Sequence, residues 1–508
     1  MSGTSIVILC TILAYMCVLI GVGVYNAKKN KSSEDFYLGG RKMGPLVVAM
    51  SAEASDMSSW LLMGLPGVAY LTGVADAFWT AAGLALGTYL NWLIVSRRLR
   101  RYSQHLGAIT VPGFLAKRFH DKRNIITAIA ALLIVVFFVP YVASGFAACG
   151  KLFNSLFGME YMTGVVLFAV IIIIYTIIGG FTSVATNDLI QSIVMSIALI
   201  SITVFGVSKA GGFGAVIENA KDLEGYFSLT ATHDAANNVA IAYPFLSIVS
   251  TMAWGIGYFG MPHILVRFMA IEDEKKLVLS RRIASIWVVI AMGVAIFIGI
   301  VGLGMVNVGS LEALADPERV IIAISTLLSE NGVLAAILAG VILAGILAAT
   351  MSTADSQLLV AASGVSENIV QDFFGKKLTA KQSLLVARGT ILVISIIGVF
   401  LASDPNSSVF SIVSFAWAGF GGAFAAVMIC ALFWKRTTLP AAIAGMVAGG
   451  VMVFVWEYVL SPMGGVWAIY ELLPAFLVSL AVIIVVSLCT KAPSKEIIEE
   501  FEEGIKTK

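Results

Sequence analysis

The stretch Ser51-Ala52-Glu53-Ala54-Ser55-Asp56-Met57-Ser58-Ser59-Trp60, continuing to Gly64-Leu65-Pro66-Gly67, lies inside an apolar run over 44–71. The run is long enough to cross a hydrocarbon core of about 30 Å, yet it carries two carboxylates and four serine hydroxyls between Ser51 and Trp60. Unsatisfied polar groups in lipid cost several kcal/mol each, so a spanning helix ordinarily excludes them. The segment therefore predicts a helix that breaks inside the membrane. Short side chains, glycines and a proline let its backbone unwind and turn carbonyls toward a cavity.

Two more apolar runs carry the same signature. One is Trp254-Gly255-Ile256-Gly257-Tyr258-Phe259-Gly260-Met261-Pro262 within 239–263, and the other is Ala348-Ala349-Thr350-Met351-Ser352-Thr353-Ala354-Asp355-Ser356 within 332–363. Around them fall the remaining candidate spans: 5–26, 75–96, 124–153, 162–181, 187–208, 283–308, 386–403, 409–433, 439–458 and 468–490. That makes thirteen transmembrane helices and an all-α, polytopic membrane protein. The composition agrees, with 59% hydrophobic and 12% charged residues over 508, where a soluble chain would carry about a quarter charged. The first run lacks a preceding basic region and is followed by Lys28, Lys29 and Lys31, so it reads as a retained helix and not a signal peptide.

Basic residues alternate between loops. Arg41 and Lys42 add to the first basic loop; Arg97, Arg98, Arg100, Arg101, Lys117, Arg118, Lys122 and Arg123 mark the third. His263, Arg267, Lys275, Lys276, Arg281 and Arg282 mark the seventh, and Lys376, Lys377 and Lys381 the ninth. The 209–238 and 309–331 loops are acidic. The positive-inside rule then puts the N-terminus outside and the C-terminus in the cytoplasm of a multi-pass cell-membrane (inner-membrane) protein. The tail from Lys491 reads as a solvated cytoplasmic amphipathic helix.

A net charge of +2 offers nothing to nucleic acid, and no feature calls for an obligate protein partner. Five cysteines (Cys10, Cys17, Cys149, Cys430, Cys489) in or beside apolar runs argue against a disulfide framework. Without a CxxC pair, and with four scattered histidines, no zinc site is indicated. No nucleophile, base and orienter come together, so the chain does not read as an enzyme. A membrane-embedded enzyme using Asp56 and Asp355, and a passive channel, are the rival classes.

The second span opens one set of five helices and the seventh opens another. Because five is odd, the second set crosses in the opposite sense, the arithmetic of an inverted repeat. The expected organisation is 1–43 (outside-facing end, first span and cytoplasmic loop), 44–208 (first repeat), 209–238 (extracellular loop), 239–433 (second repeat), 434–490 (two peripheral spans) and 491–508 (tail).

Ser352 and Thr353 stand three and four residues after Ala349, so their hydroxyls share a helical face with its carbonyl. Unwound backbone near Ala54 and Met57 would add carbonyls from across the bundle. Such neutral oxygens suit a monovalent cation that must leave again. Packing is the plainer reading of the two hydroxyls. Asp56, an acid in mid-span, is a functional candidate and also a candidate cap for the half-helix beginning near Met57. Glu53, Asp188 and Asp355 are weaker candidates: Glu53 faces the cytoplasmic half, Asp188 reads equally as an ordinary N-cap, and Asp355 either biases the ion site or pairs with a neighbouring helix. Trp254, Tyr258 and Pro262 recur every four residues and drift along one face, interleaved with glycines. With Tyr141, after Pro140, they suggest either aromatic packing or a pocket for a small amino acid whose ammonium meets aromatic faces.

The motifs LGGR (38–41), SAEASDMSSWLLMGLPG (51–67), NWLIVSRRLR (91–100), YTIIGGF (175–181), WGIGYFGMPHILVRFMA (254–270), ILAATMSTADSQLLV (346–360) and SFAWAGFGGAF (414–424) resemble the sodium/solute symporter family, most closely its bacterial sodium/proline members. The likeness runs from about residue 5 to 490. It implies a LeuT-type core of five plus five inverted-repeat helices and sodium-coupled symport of L-proline by alternating access. It also implies a sodium site of the Ala54, Met57 and Ala349 carbonyls with the Ser352 and Thr353 hydroxyls, supported by Asp56 and Ser58. Trp60, Tyr141, Trp254, Tyr258 and Pro262 match positions of the proline pocket or its approach, and Arg41 matches a cytoplasmic arginine linked to coupling. The chain departs from some proline symporters at Asp355, where an apolar residue can stand. A relative carrying pantothenate, a sugar or a monocarboxylate is the nearest alternative.

Overall fold

The computed structural model describes residues 3–27, 33–178 and 180–506. Lys28, Lys29 and Lys31 of the first basic loop, Gly179 of the YTIIGGF motif and the end of the tail lie outside the described residues. With other helical segments left unnumbered, the helices used below are numbered in chain order. They are α1 (Gly3–Ala27), α2 (Pro45–Asp56), α3 (Leu65–Thr72), α4 (Val74–Leu90), α5 (Ser96–His105), α6 (Ile125–Phe157), α7 (Tyr161–Ile178), α8 (Phe181–Lys209) and α9 (Phe245–Met252). There follow α10 (Pro262–Ala270), α11 (Leu277–Asn307), α12 (Val333–Ser363), α13 (Ala380–Leu401), α14 (Val409–Phe420), α15 (Leu439–Val455), α16 (Leu472–Cys489) and α17 (Lys495–Ile505).

Among the described residues, ten helical stretches are long and apolar enough to cross a membrane. Three shorter apolar ones, Trp60–Thr72, Tyr161–Ile177 and Phe245–Phe259, lie where the second, fifth and seventh spans were expected. The outward faces of the bundle are apolar, with Val204 67%, Leu334 83% and Phe400 72% exposed, as lipid contact requires. The all-α reading needs one amendment. A small antiparallel hairpin pairs Ala231–Asp234 with Val239–Ala242, so the seventh span starts at Phe245 and not at 239.

At the centre stands α12. Its 31 residues make a rod of about 46 Å, and from Ile342 to Leu359 every side chain is buried. Alanine, glycine, serine and threonine dominate that stretch, which lets α1, α2, α6 and α8 pack closely around it. The expected break does not occur here. The Ala348–Ser356 segment remains helical, with the Thr350 hydroxyl donating back to the Ile346 carbonyl at 2.8 Å. The Thr350 and Ser352 hydroxyls reach carbonyls without unwinding, and the segment contains neither glycine nor proline.

The other two runs do break. Between α2 and α3 the chain leaves the helix at Met57–Ser58 and resumes through a wide turn, Trp60–Gly64. Between α9 and α10 it tightens over Ala253–Phe259, and Met261 is extended (φ −75°, ψ 107°) ahead of Pro262, the first residue of α10. Proline there suits a helix start, since its missing N–H needs no partner. The tightened segment rests so closely on α4 that a Cβ on Gly87 would collide with the Gly255 carbonyl oxygen.

The basic face also differs from expectation. His263 and Arg267, assigned above to a loop, are inside α10 and fully buried. Helix α17 is docked and not freely solvated. Phe501 is 3% exposed, with the Arg118 guanidinium 4.5 Å from its ring centroid; Arg101 donates to the Ile505 carbonyl at 3.1 Å. Amphipathicity was legible in the tail, but its covering surface was not.

Candidate ion and solute site

The first break is an inverse γ-turn. Met57 N–H closes the last turn of α2 on the Glu53 carbonyl at 2.8 Å. Ser58 N–H then turns back to the Asp56 carbonyl, also at 2.8 Å, with Met57 at φ −77° and ψ 71°. In an unbroken helix Ser58 N–H would donate to Ala54. The Ala54 carbonyl is thereby released, and it accepts the Ser352 hydroxyl of α12 at 2.6 Å. That hydroxyl also lies 3.1 Å from the Ala349 carbonyl of its own helix. The Thr353 hydroxyl beside it is buried with no hydrogen-bond partner among the described residues. Ala54, Met57, Ala349, Ser352 and Thr353 are all buried. One hydroxyl facing two carbonyls, with a second orphaned beside it, is a donor-poor, oxygen-rich cluster. Its chemistry fits a small cation, because the oxygens outnumber the hydrogens available to them.

Asp56 closes the same turn. Its carboxylate accepts the Tyr258 hydroxyl across the two breaks, while its other oxygen is buried without a partner among the described residues. Its main-chain carbonyl takes the Trp60 indole N–H at 3.1 Å and the Tyr141 hydroxyl at 3.3 Å. No side-chain cap from Asp56 is made onto the following half-helix, so the capping reading is set aside. Ser58 instead offers its hydroxyl oxygen to Trp60 N–H at 3.4 Å. Glu53 accepts the Trp92 indole N–H at 3.0 Å.

Trp254, Tyr258, Trp60 and Tyr141 therefore come together around Asp56. Trp60 and Trp254 have ring centroids 6.2 Å apart. Trp417 donates its indole N–H to the Trp254 carbonyl at 2.7 Å and meets Tyr258 edge-on at 5.0 Å. Pro262 does not join them. It lines a separate cavity with Phe181, Arg267 and Ser356. Trp417 went unassigned although it lies in the conspicuous 414–424 motif. Tyr470, stacked on Trp254, had no signal in the sequence.

Asp188 and Asp355 belong to a second cluster. Asp188 is well inside α8, which begins at Phe181, so it is no N-cap. It accepts Ser51 at 2.6 Å and the Arg267 guanidinium at 3.1 Å. Arg267 also donates to Ser356 at 2.6 Å, to Ser51 at 2.9 Å and to the His263 carbonyl at 2.6 Å. Asp355 meets Ser356 at 3.4 Å and keeps one buried oxygen without a partner among the described residues. Arg267, read as a loop charge, is thus the cation that joins α2, α8 and α12. Its position in the run of basic residues disguised it.

Arg41 lies on the basic face, at φ 55°, outside the spans. Its guanidinium donates to the Met269 carbonyl at 2.9 Å, the Ala108 carbonyl at 2.5 Å and the Ser103 hydroxyl at 3.3 Å. Burial, and secondarily Arg100, press its pKa down to about 10, which leaves it charged at neutral pH. It ties the turn before α2 to α5 and α10.

A family model described as the sodium:solute symporter family matches residues 36–449. A sodium/proline symporter of Staphylococcus aureus (strain JH9) is 38% identical over 490 residues, 95% of this chain and 92% of the relative; that of strain COL matches equally. Among solved structures, a Na+-coupled sialic acid symporter in a substrate-bound outward-open state superposes with TM-score 0.78 at 19% identity, covering 96% of this chain and 99% of the other. The nucleobase-cation-symport-1 family transporter Mhp1, with bromovinylhydantoin bound, gives 0.56 at 15% identity, with 94% and 99% covered. At such identities the likeness is one of fold. From the match across most of its length and the identity to full-length relatives, the chain belongs to the sodium:solute symporter family.

Proposed function

We propose that the protein carries L-proline into the cell with sodium by alternating access. Family membership and the curated relatives, which are sodium/proline symporters, support a transporter and not an enzyme. The observation that carries the coupling is the Ser352 hydroxyl, bridging the Ala54 carbonyl of the broken span and the Ala349 carbonyl of α12. The sodium ligands in this reading are those two carbonyls, the Met57 carbonyl and the hydroxyls of Ser352 and Thr353.

Sodium from outside binds first and replaces the hydroxyl bridge with a shared cation, fastening α2 to α12. Asp56 adds negative potential next to the cation without ligating it and, through Tyr258, brings the second broken span toward the first. Ser58 holds the turn. That approach shapes the solute pocket from Trp60, Tyr141, Trp254 and Tyr258, whose faces suit an apolar ring and a secondary ammonium. Freed N–H groups at the half-helix starts suit the carboxylate. Pro262 acts at the approach on the cytoplasmic side, and Arg41 couples the turn before α2 to α5 and α10 as that side opens. Asp188, paired with Arg267, and Asp355 in the same cluster support the closed bundle around the ion site.

Thirteen spans, with five-plus-five inverted repeats over 44–208 and 239–433, an extracellular N-terminus and a cytoplasmic tail, complete the reading. A membrane potential contributes about 2.3 kcal/mol per charge per 100 mV, and a tenfold sodium gradient about 1.4 kcal/mol. One sodium thus supports roughly several-hundredfold accumulation. Purified protein in proteoliposomes should concentrate labelled proline only with an inward sodium gradient. Equal uptake without the gradient would refute symport. Displacement of proline by pantothenate, a sugar or a monocarboxylate, and not by proline analogues, would reassign the solute.

A further inference from the structure

Trp254 is held by a segment more than two hundred residues further along the chain. Tyr470 lies between α15 and α16, just before α16 begins at Leu472. Its ring stacks on Trp254 at 5.2 Å and 19°. Its hydroxyl donates to the Ser414 carbonyl of α14 at 2.8 Å, and its N–H donates to the Ser250 hydroxyl oxygen of α9 at 2.6 Å. The Ile469 carbonyl just before it accepts the Trp456 indole N–H at 3.1 Å. One residue therefore contacts both the helix leading into the second break and α14, and it does so from a fixed loop. Trp254 otherwise meets Phe410 at 5.4 Å and Trp417 at 6.2 Å, both from α14. With Tyr470 absent, α14 and Trp60 alone would determine the plane of the Trp254 ring.

We propose that Tyr470 is a positioning residue for the solute site: the peripheral segment before the last span sets the Trp254 ring and links closure of the second broken helix to α14. The inference rests on the reading that Trp254 faces the transported solute. An aromatic pair in offset or parallel contact is stronger than its buried area alone accounts for. The stack fixes a ring that would otherwise adopt several rotamers, and a pre-oriented ring binds its ligand more tightly. The Ser414 tie has a separate consequence. It resists separation of α14 from the loop and therefore bears on the rate of opening more than on affinity.

The test uses full-length protein in proteoliposomes, carrying Tyr470→Leu, Tyr470→Phe, Trp254→Leu or the Tyr470→Leu/Trp254→Leu pair. Proline KM, turnover per inserted molecule and sodium half-saturation at saturating proline are measured. Tyr470→Leu is expected to raise proline KM about three- to tenfold and leave sodium half-saturation within about twofold. Tyr470→Phe, which keeps the ring, should hold KM within about twofold and change turnover. The pair should be no weaker in KM than Trp254→Leu alone, since one variant already removes the shared contact. A KM unchanged in Tyr470→Leu but raised in Trp254→Leu overturns the inference and spares the pocket. Additive effects of the two variants on KM overturn it too. An unchanged KM in Trp254→Leu refutes the pocket reading itself, and the inference with it. A loss confined to the amount of inserted protein, with KM unchanged in every Tyr470 variant, marks a purely structural role and also overturns it.

Discussion

Ser352→Ala removes one oxygen from the proposed sodium site and nothing else. In the structure that hydroxyl is fully buried and faces carbonyls at 2.6 and 3.1 Å. Alanine leaves the Ala54 carbonyl without this donor, and Ser58 N–H cannot replace it because it is engaged with Asp56 at 2.8 Å. The structural cost is that of one net hydrogen bond, about 1 kcal/mol. The cost to a bound cation is larger. An oxygen dipole against a charge is comparable to a hydrogen bond to a charged group, about 1.5–3 kcal/mol, and hence roughly a 10- to 150-fold rise in sodium half-saturation. Ser352→Thr keeps the oxygen and should stay within several-fold of the natural protein. The assay is the initial rate of labelled proline uptake into proteoliposomes across a sodium series, normalised to inserted protein. Proline KM at saturating sodium should barely move. A sodium half-saturation for Ser352→Ala within about twofold of the natural protein, at normal insertion, would refute the oxygen cage and with it the role given to the γ-turn at Met57.

Other consequences follow from individual contacts. Tyr258→Phe strips the Asp56 carboxylate of its hydroxyl donor. With a charged hydrogen bond worth about 1.5–3 kcal/mol, apparent proline affinity should fall at least about tenfold, and unaltered uptake kinetics would count against the link between the two breaks. Glu318 is paired with Lys151 at 2.8 Å and accepts Val409 and Phe410 N–H at 3.1 Å each. Glu318→Ala should therefore loosen the start of α14 by about 3 kcal/mol, read as faster hydrogen exchange at 409–412; unchanged protection would contradict the capping role. Gly504→Val places a side chain where even a Cβ would collide with the Tyr102 ring. It should undock α17 and speed tryptic cleavage at Lys491 and Lys495, whereas an equally resistant tail would show that close packing of Gly504 on Tyr102 is not needed to hold it.

The membrane class, the positions of the apolar runs and two of the three expected breaks could be read directly, because lipid imposes a length on each span and forbids idle polar groups within it. The residues proposed for the ion site share a local signature. Ala349, Ser352 and Thr353 share one helical face at any tilt, and Ala54 to Ser58 is too polar to remain a regular helix in lipid. What lay beyond local reasoning was every pairing between distant segments. Arg267 looked like a loop charge until Asp188, Ser51 and Ser356 surrounded it. Asp188 looked like a cap until α8 began before it. Asp56, a functional candidate, was also a candidate cap until Tyr258 reached it from the other break.

The sequence by itself determined where the chain is apolar, which segments are too polar for ordinary spans and which oxygens one helix can offer. Only the tertiary structure decided that α12 stays unbroken, that Tyr470 lies on Trp254 and that the tail is docked. Hydrophobic burial and lipid length act on a residue through its neighbours along the chain, so they leave a periodic trace. A stacked ring or a buried ion pair depends on which helices lie side by side, and no spacing along a single segment encodes that.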